Sequence, residues 1–143
     1  MIGNNSRTAI KAVIYLCSQF ESETKSSIKD VATYINANEH TVAKILQQLV
    51  KHEIINSVKG PSGGFFISIK QQSLPIINIV LAIEGSKVFK SCGLGLSKCS
   101  TQHPCPIHDD YKLARDIVED LFKSKKVGDL CTPVNDGVAY LIG

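Results

Sequence analysis

Three cysteines and one histidine carry the most legible chemistry in this 143-residue chain. Cys92, Cys99 and Cys105 fall within fourteen residues in the spacing C-x6-C-x5-C, and His108 stands three positions after the last. Thiolate and imidazole are soft or borderline ligands, and four of them in one loop suffice to close a metal site. Structural zinc usually takes two ligands from a tight C-x2-4-C knuckle, which this loop lacks; its closest pair is Cys105 with His108. Longer gaps wrap a wider object such as an iron-sulfur cluster, whose irons take thiolates and sometimes histidine. Gly93, Gly95 and the bracket Pro104-Cys105-Pro106 favour a loop bent around a bound group. On residues alone a cluster is preferred to zinc and to metal-free thiols acting as redox sensors. His108 is read either as a ligand or as a surface group near a helix start.

The remaining sequence argues against an enzyme. It has no C-x-x-C redox pair, no nucleophile elbow, no phosphate-cradling glycine loop before a helix and no acidic pair in a catalytic motif. A small redox or metal-dependent enzyme using Cys105 and His108 is therefore disfavoured. Five cysteines, an odd number with three clustered, suit a reducing compartment better than a disulfide framework. No segment approaches the roughly 18 apolar residues of a membrane span, and the N-terminus lacks the order of a signal peptide. A cytoplasmic protein is expected, with no membrane partner. Cys17 reads as a small core residue and Cys131 as a bystander thiol.

The elements that would position the cysteine loop divide the chain. Residues 6–20 read as a helix, with Ile10, Val13, Leu16, Cys17 and Phe20 on one face. Ser27-Ile28-Lys29-Asp30 is a capping-box pattern opening a short second helix. Asn36-Ala37-Asn38 leaves room only for a tight turn, and Asn38 can cap a third helix running to about residue 52. That third helix buries Val42, Ile45, Leu46 and Leu49 and turns His40, Thr41, Lys44, Gln47, Gln48 and Lys51 outward, donors suited to phosphates and base edges. Two short helices joined by three residues fit a helix-turn-helix, although an ordinary solvated helix face would show the same polar residues.

Residues 54–58 and 65–69 are rich in β-branched and aromatic side chains, and Lys59-Gly60-Pro61-Ser62-Gly63-Gly64 between them makes a long hairpin loop. A hairpin in this place is a wing, and its glycines and Lys59 suit a loop lying along a DNA groove. Charge placement agrees: residues 1–70 hold eight basic and five acidic side chains, residues 71–143 eight of each. A zinc-stapled interaction module would leave this basic wing unexplained. Residues 74–84 predict a buried helix with Pro75 in its first turn.

After the cysteine loop a charged helix is expected over 107–125. Ile107, Tyr111, Ala114, Val118 and Leu121 form a narrow coiled-coil-like seam beside the i,i+4 pairs Lys112 with Asp116, Arg115 with Glu119, and Glu119 with Lys123. So short a chain offers little else to cover that seam, so a homodimer is expected. Residues 127–143 show only a turn at Thr132-Pro133. The fold class is thus mainly α with a small β-hairpin wing: a winged helix-turn-helix domain at 1–73, then a sensor loop (86–108), dimerisation helix (107–125) and tail within 74–143.

The wing string SVKGPSGGF at 57–65, preceded by KILQQLVKHEII, and the loop CGLGLSKCSTQHPCPIH at 92–108 together resemble the winged-helix regulators related to IscR and NsrR, the family also called Rrf, type two. The resemblance spans about residues 6–125. It implies a dimeric transcription factor with an iron-sulfur site before its dimerisation helix, and no catalysis. Carried over, Cys92, Cys99 and Cys105 become cluster thiolates and His108 the fourth ligand, as in members holding 2Fe-2S. DNA contacts fall on Asn38, His40, Thr41 and Lys44 of the recognition helix and on Lys59, Gly60 and Pro61 of the wing, with a near-palindromic double-stranded operator as partner. The chain departs from the family in three places. The first cysteine gap is one residue longer than the common spacing, which keeps 4Fe-4S open beside the favoured 2Fe-2S. Lys59 stands where the wing usually carries Arg, and lacks its planar fork. Residues 4–12 contain no Asp or Glu, so the first helix offers no acidic ligand. A cluster-free thiol or metabolite sensor on the same scaffold is the alternative function.

Overall fold

The structure, a computed structural model, describes residues 1–143. Seven helices and one hairpin follow the order α1 (Asn4–Ser18), α2 (Ile28–Ile35), α3 (Glu39–Lys51), β1 (Asn56–Val58), β2 (Gly64–Phe66), α4 (Ile69–Gln72), α5 (Ile77–Glu84), α6 (His108–Ser124) and α7 (Val127–Asn135), with a 3-10 turn at Ser86–Phe89. Local chemistry sets the boundaries of the DNA-reading half. The Ser27 hydroxyl accepts from Asp30 N, and the Asp30 carboxylate accepts from Ser27 N, each at 3.0 Å, closing the expected capping box. The Ser27 backbone N–H, and after it the Ser27 hydroxyl, hold the Asp30 carboxyl below its ordinary range. Asn36 ends α2 in the left-handed region, and Asn38 Oδ1 accepts from His40 N and Thr41 N to start α3.

The core collects the apolar stripes of these helices. Leu16, Val31, Ile35, Val42, Ile45, Leu46 and Leu49 are almost wholly buried, together with Ile54, Ile55, Ile67 and Ile79. Both strands are shorter than their apolar runs. Ile54 and Ile55 enter the core before β1, while Ser68 caps α4 just after β2. β1 and β2 pair antiparallel, Ser57 opposite Phe65, and Ser26 adds an edge through Ser26 N to Phe65 O at 2.9 Å and Phe65 N to Ser26 O at 2.8 Å. The backbones approach so closely there that a Cβ on Gly64 would lie 2.8 Å from Ser26 O. Below the wing, the buried Gln71 amide accepts from Asn56 Nδ2 and Ser68 N and donates to Glu53 O and Asn56 Oδ1.

The second half differs from its sequence reading in three ways. First, α5 begins at Ile77, after Pro75; Ile76 N donates to Lys125 O, and Val127 N to Leu74 O, forming a short ladder. Second, residues 127–135 are helical despite Pro133, which stands in the last turn where few backbone bonds remain to be lost. α7 packs on α1, and Val127 and Cys131 belong to the main core. Cys131 is a core thiol that meets Cys17, and burial plus this contact pushes the Cys17 thiol up to about 12.

The third difference concerns α6. Tyr111 and Val118 of the expected seam are half-buried, and Val118 and Phe122 pack on the small core of Ile77, Val80 and Phe89. Ile107, Ala114 and Leu121 are exposed, and so are Leu113 (65%) and Ile117 (64%), which the seam omitted. The helix therefore carries two apolar faces, one turned to its own chain and one uncovered.

Candidate functional site

The cysteine loop runs from the 3-10 turn to the first residue of α6 and folds over the buried face of that helix. Cys92, Cys105 and His108 are buried and Cys99 is half-buried. Cys92 and Cys105 lie close enough for each to act on the other's ionisation, Cys99 lies close enough to Cys105 to act on its charge, and Cys99 Sγ is 3.4 Å from His108 Nδ1. All four predicted ligands thus meet in one wall, although no three of them converge on the position of a single ion. The loop geometry depends on missing side chains: a Cβ on Gly93 would sit 2.7 Å from the Tyr111 ring.

The donor set is prepared for an electrophilic guest. Backbone N–H groups of Leu94, Leu96 and Gly95 point at Cys92 Sγ, Leu94 N at 3.4 Å, and hold that thiol below its ordinary value. Burial pushes the Cys105 thiol up instead. His108 Nε2 is buried with no partner, and an orphaned imidazole nitrogen on a ring that touches the Cys99 thiol is a ready ligand position. By the chemistry of the donor set, three soft donors and one borderline donor, these residues fit an iron-sulfur group.

One residue of this wall was missed by sequence reasoning. Arg115 was expected to pair with Glu119 in solvent, and the neighbouring pairs do form, Lys112 with Asp116 at 2.8 Å and Lys123 with Glu119 at 3.2 Å. Arg115 instead turns inward, is buried, and donates from Nη1 to Ser91 O at 2.7 Å, next to Cys92. The i,i+4 spacing with Glu119 concealed this; its position one turn after Tyr111 and one before Val118, on the inward face, was the available signal.

At the other end of the molecule, the α3 face and the wing present the predicted DNA contacts. Asn38, His40, Lys44, Lys59, Gly60 and Pro61 are exposed and Thr41 is half-buried. Asn38 commits Oδ1 to the helix cap, leaving its Nδ2 as donor. Gln47, Gln48 and Lys51 continue the polar face.

A short capped helix, a three-residue turn, a second helix with a polar face and a hairpin after it define a winged helix-turn-helix regulator. The comparisons place it more closely. Residues 2–133 match the Rrf2 family, described as an iron-dependent transcriptional regulator, and the chain belongs to that family. It is 27% identical over 126 residues to a protein of Aquifex aeolicus named as an HTH-type transcriptional regulator, covering 87% of this chain and 86% of that one. With NsrR of Geobacillus kaustophilus it shares 26% over 89 residues, 62% of this chain and 60% of that protein. Its fold is similar to that of CymR, the global cysteine regulator of B. subtilis, with a TM-score of 0.72 at 19% identity over 92% of this chain and 96% of that one. IscR of T. potens is similar too, with a TM-score of 0.73 at 16% identity over 97% and 91%. These relatives are transcriptional regulators, not enzymes, and DNA binding follows for the family. No helix is long and apolar enough to cross a membrane.

Proposed function

We propose that this regulator reads a near-palindromic operator as a homodimer and that an iron-sulfur cluster on Cys92, Cys99, Cys105 and His108 sets its affinity. The observation that carries the reading is the wall itself: Cys105 lies near both Cys92 and Cys99, and Cys99 touches a buried imidazole whose Nε2 has no partner. One imidazole with three thiolates favours 2Fe-2S over 4Fe-4S. When bound, such a group supplies a redox-active, oxidant-labile junction. The chain's own residues do the rest. Amides of Leu94 to Leu96 stabilise the Cys92 thiolate, Gly93 lets the loop lie on Tyr111, and α6 carries the loop's position to α5. In this reading residues 1–73 bind DNA through Asn38, His40, Thr41, Lys44, Lys59, Gly60 and Pro61, and residues 74–143 sense and dimerise.

The uncovered face of α6, with Leu113, Ile117 and Leu121, supports a homodimer. A second reading, a cluster-free thiol sensor, draws on the nearness of Cys92 and Cys105: a peroxide taking two electrons and two protons from the pair would leave a disulfide and be reduced at its O–O bond. Iron and sulfide analysis of protein purified without air separates the two. The cluster reading expects coloured protein with about two irons and two sulfides per chain, and loss of iron in each of Cys92→Ser, Cys99→Ser and Cys105→Ser. Colourless wild-type protein, or full iron in all three variants, would contradict it.

A further inference from the structure

Arg115 lies deeper than a charge without a counter-ion should. It is 5% exposed, no carboxylate pairs with it, its one hydrogen bond runs from Nη1 to Ser91 O, and Nε is buried with no partner at all. Removing a guanidinium from water is strongly unfavourable unless an anion meets it. The edge left over, Nε with Nη2, is the fork that grips an oxyanion through two parallel N–H···O bonds.

Arg115 also lines a cavity of about 680 Å³ between the 3-10 turn, the loop and α6. Lys87, Lys90, Lys98 and Lys112 share the walls, and no Asp or Glu does. Of these cations only Lys112 has an acidic partner, Asp116. A concave space of this size suits a small molecule, and the charge of its lining selects the sign. Cys92, Cys99 and His108 lie on the same walls, so an occupant would press directly on the sensing loop.

We propose that this cavity binds a small oxyanion of the phosphate class, held by the Nε–Nη2 edge of Arg115 and surrounded by Lys87, Lys90 and Lys98. None of its cations is a candidate ligand, but Cys92, Cys99 and His108 share its walls, so the site is proposed for the metal-free chain. An anion bound there bridges Arg115 to the loop, and through linkage its occupancy and the state of the loop modify each other.

The test uses the full, reduced, metal-stripped chain and inorganic phosphate, titrated at constant ionic strength against chloride while amide and arginine Nε signals are followed by nuclear magnetic resonance. Wild type should show saturable shifts centred on Arg115 and Ser91. Arg115→Gln should bind about tenfold more weakly or worse, as expected for one charge-assisted pair, and Arg115→Lys, lacking the fork, should recover only part. Lys90→Gln with Lys98→Gln leaves the buried arginine in place and should weaken binding measurably, which keeps the test valid if Arg115→Gln folds poorly. Lys29→Gln, an exposed cation on α2 outside the cavity, should bind phosphate as wild type does; loss of binding there would assign the shifts to general surface charge and overturn the proposal. Absence of saturation in wild type, equal shifts with chloride, or unchanged affinity in the lysine pair would overturn it as well. If wild type ignores phosphate while Arg115→Gln loses affinity for random duplex DNA, the cavity serves the DNA backbone and the small-anion site is wrong.

Discussion

His108 is the least like its companions at the site, and its effect should be separable. A neutral imidazole competes with protons for iron, whereas thiolates are held by charge as well, so the histidine is the labile corner. His108→Ala should keep the fold, because the α6 face on Ile77, Val80 and Phe89 is formed by Val118 and Phe122, yet lower cluster retention. His108→Cys should keep a cluster that is harder to reduce, since replacing imidazole by thiolate lowers the potential. Absorption spectra with a potentiometric titration check both. A wild-type spectrum and potential in His108→Ala would return His108 to a structural role. Cys17 and Cys131 stand apart from this chemistry: desolvation keeps Cys17 a thiol to about pH 12, so it fastens α1 to α7 instead of reacting.

At the scale of elements, the wing depends on a polar joint under it. Gln71 makes four hydrogen bonds that tie β1 and the Glu53 carbonyl to α4. Gln71→Leu, similar in volume, would leave Asn56 and Glu53 O without partners at a cost of about 1–3 kcal/mol, read by urea denaturation. Unchanged stability would mean that solvent replaces those bonds. The same elements show what sequence could disclose. The Ser27-Asp30 box and the Asn38 cap were legible because capping is local chemistry between residues two or three apart. The cysteine loop was legible because few structures other than a bound site need those side chains together. α7 was hidden because Pro133 signals a break, and only packing of Val127 and Cys131 on α1 shows that the helix survives it. On α6 a seven-residue pattern fitted two faces at once. Periodicity alone could not tell that Val118 belongs to the chain's own core while Leu113 and Ile117 stay outside.

At the scale of the whole molecule, those two faces give opposite expectations. Ile117→Asp should yield folded monomers with weakened operator binding, since the charge enters only the uncovered face. Val118→Asp should lower thermal stability, because Val118 packs on Phe89, Val80 and Ile77. Sedimentation with thermal denaturation distinguishes them; an Ile117→Asp variant that remains dimeric would place the partner elsewhere.

Communication between loop and DNA face has a physical route. Phe89 before the loop and Val118 and Phe122 after it pack on α5, and α5 packs on α1 and α3. Glu84 at the end of α5 accepts from Gly3 N at 3.0 Å and from the Ser6 hydroxyl, fixing the start of α1. A change in the loop can alter DNA affinity only by favouring one arrangement of this route over another. The direct measurement is a DNA titration of one preparation before and after its iron is removed without air, using a duplex selected from a random-sequence pool at fixed salt. A loop-controlled regulator should show dissociation constants differing by about tenfold or more, within the usual range of allosteric coupling, with the difference abolished in Cys105→Ser. Equal affinities with and without iron, in a protein that demonstrably loses its colour, would contradict control by the loop.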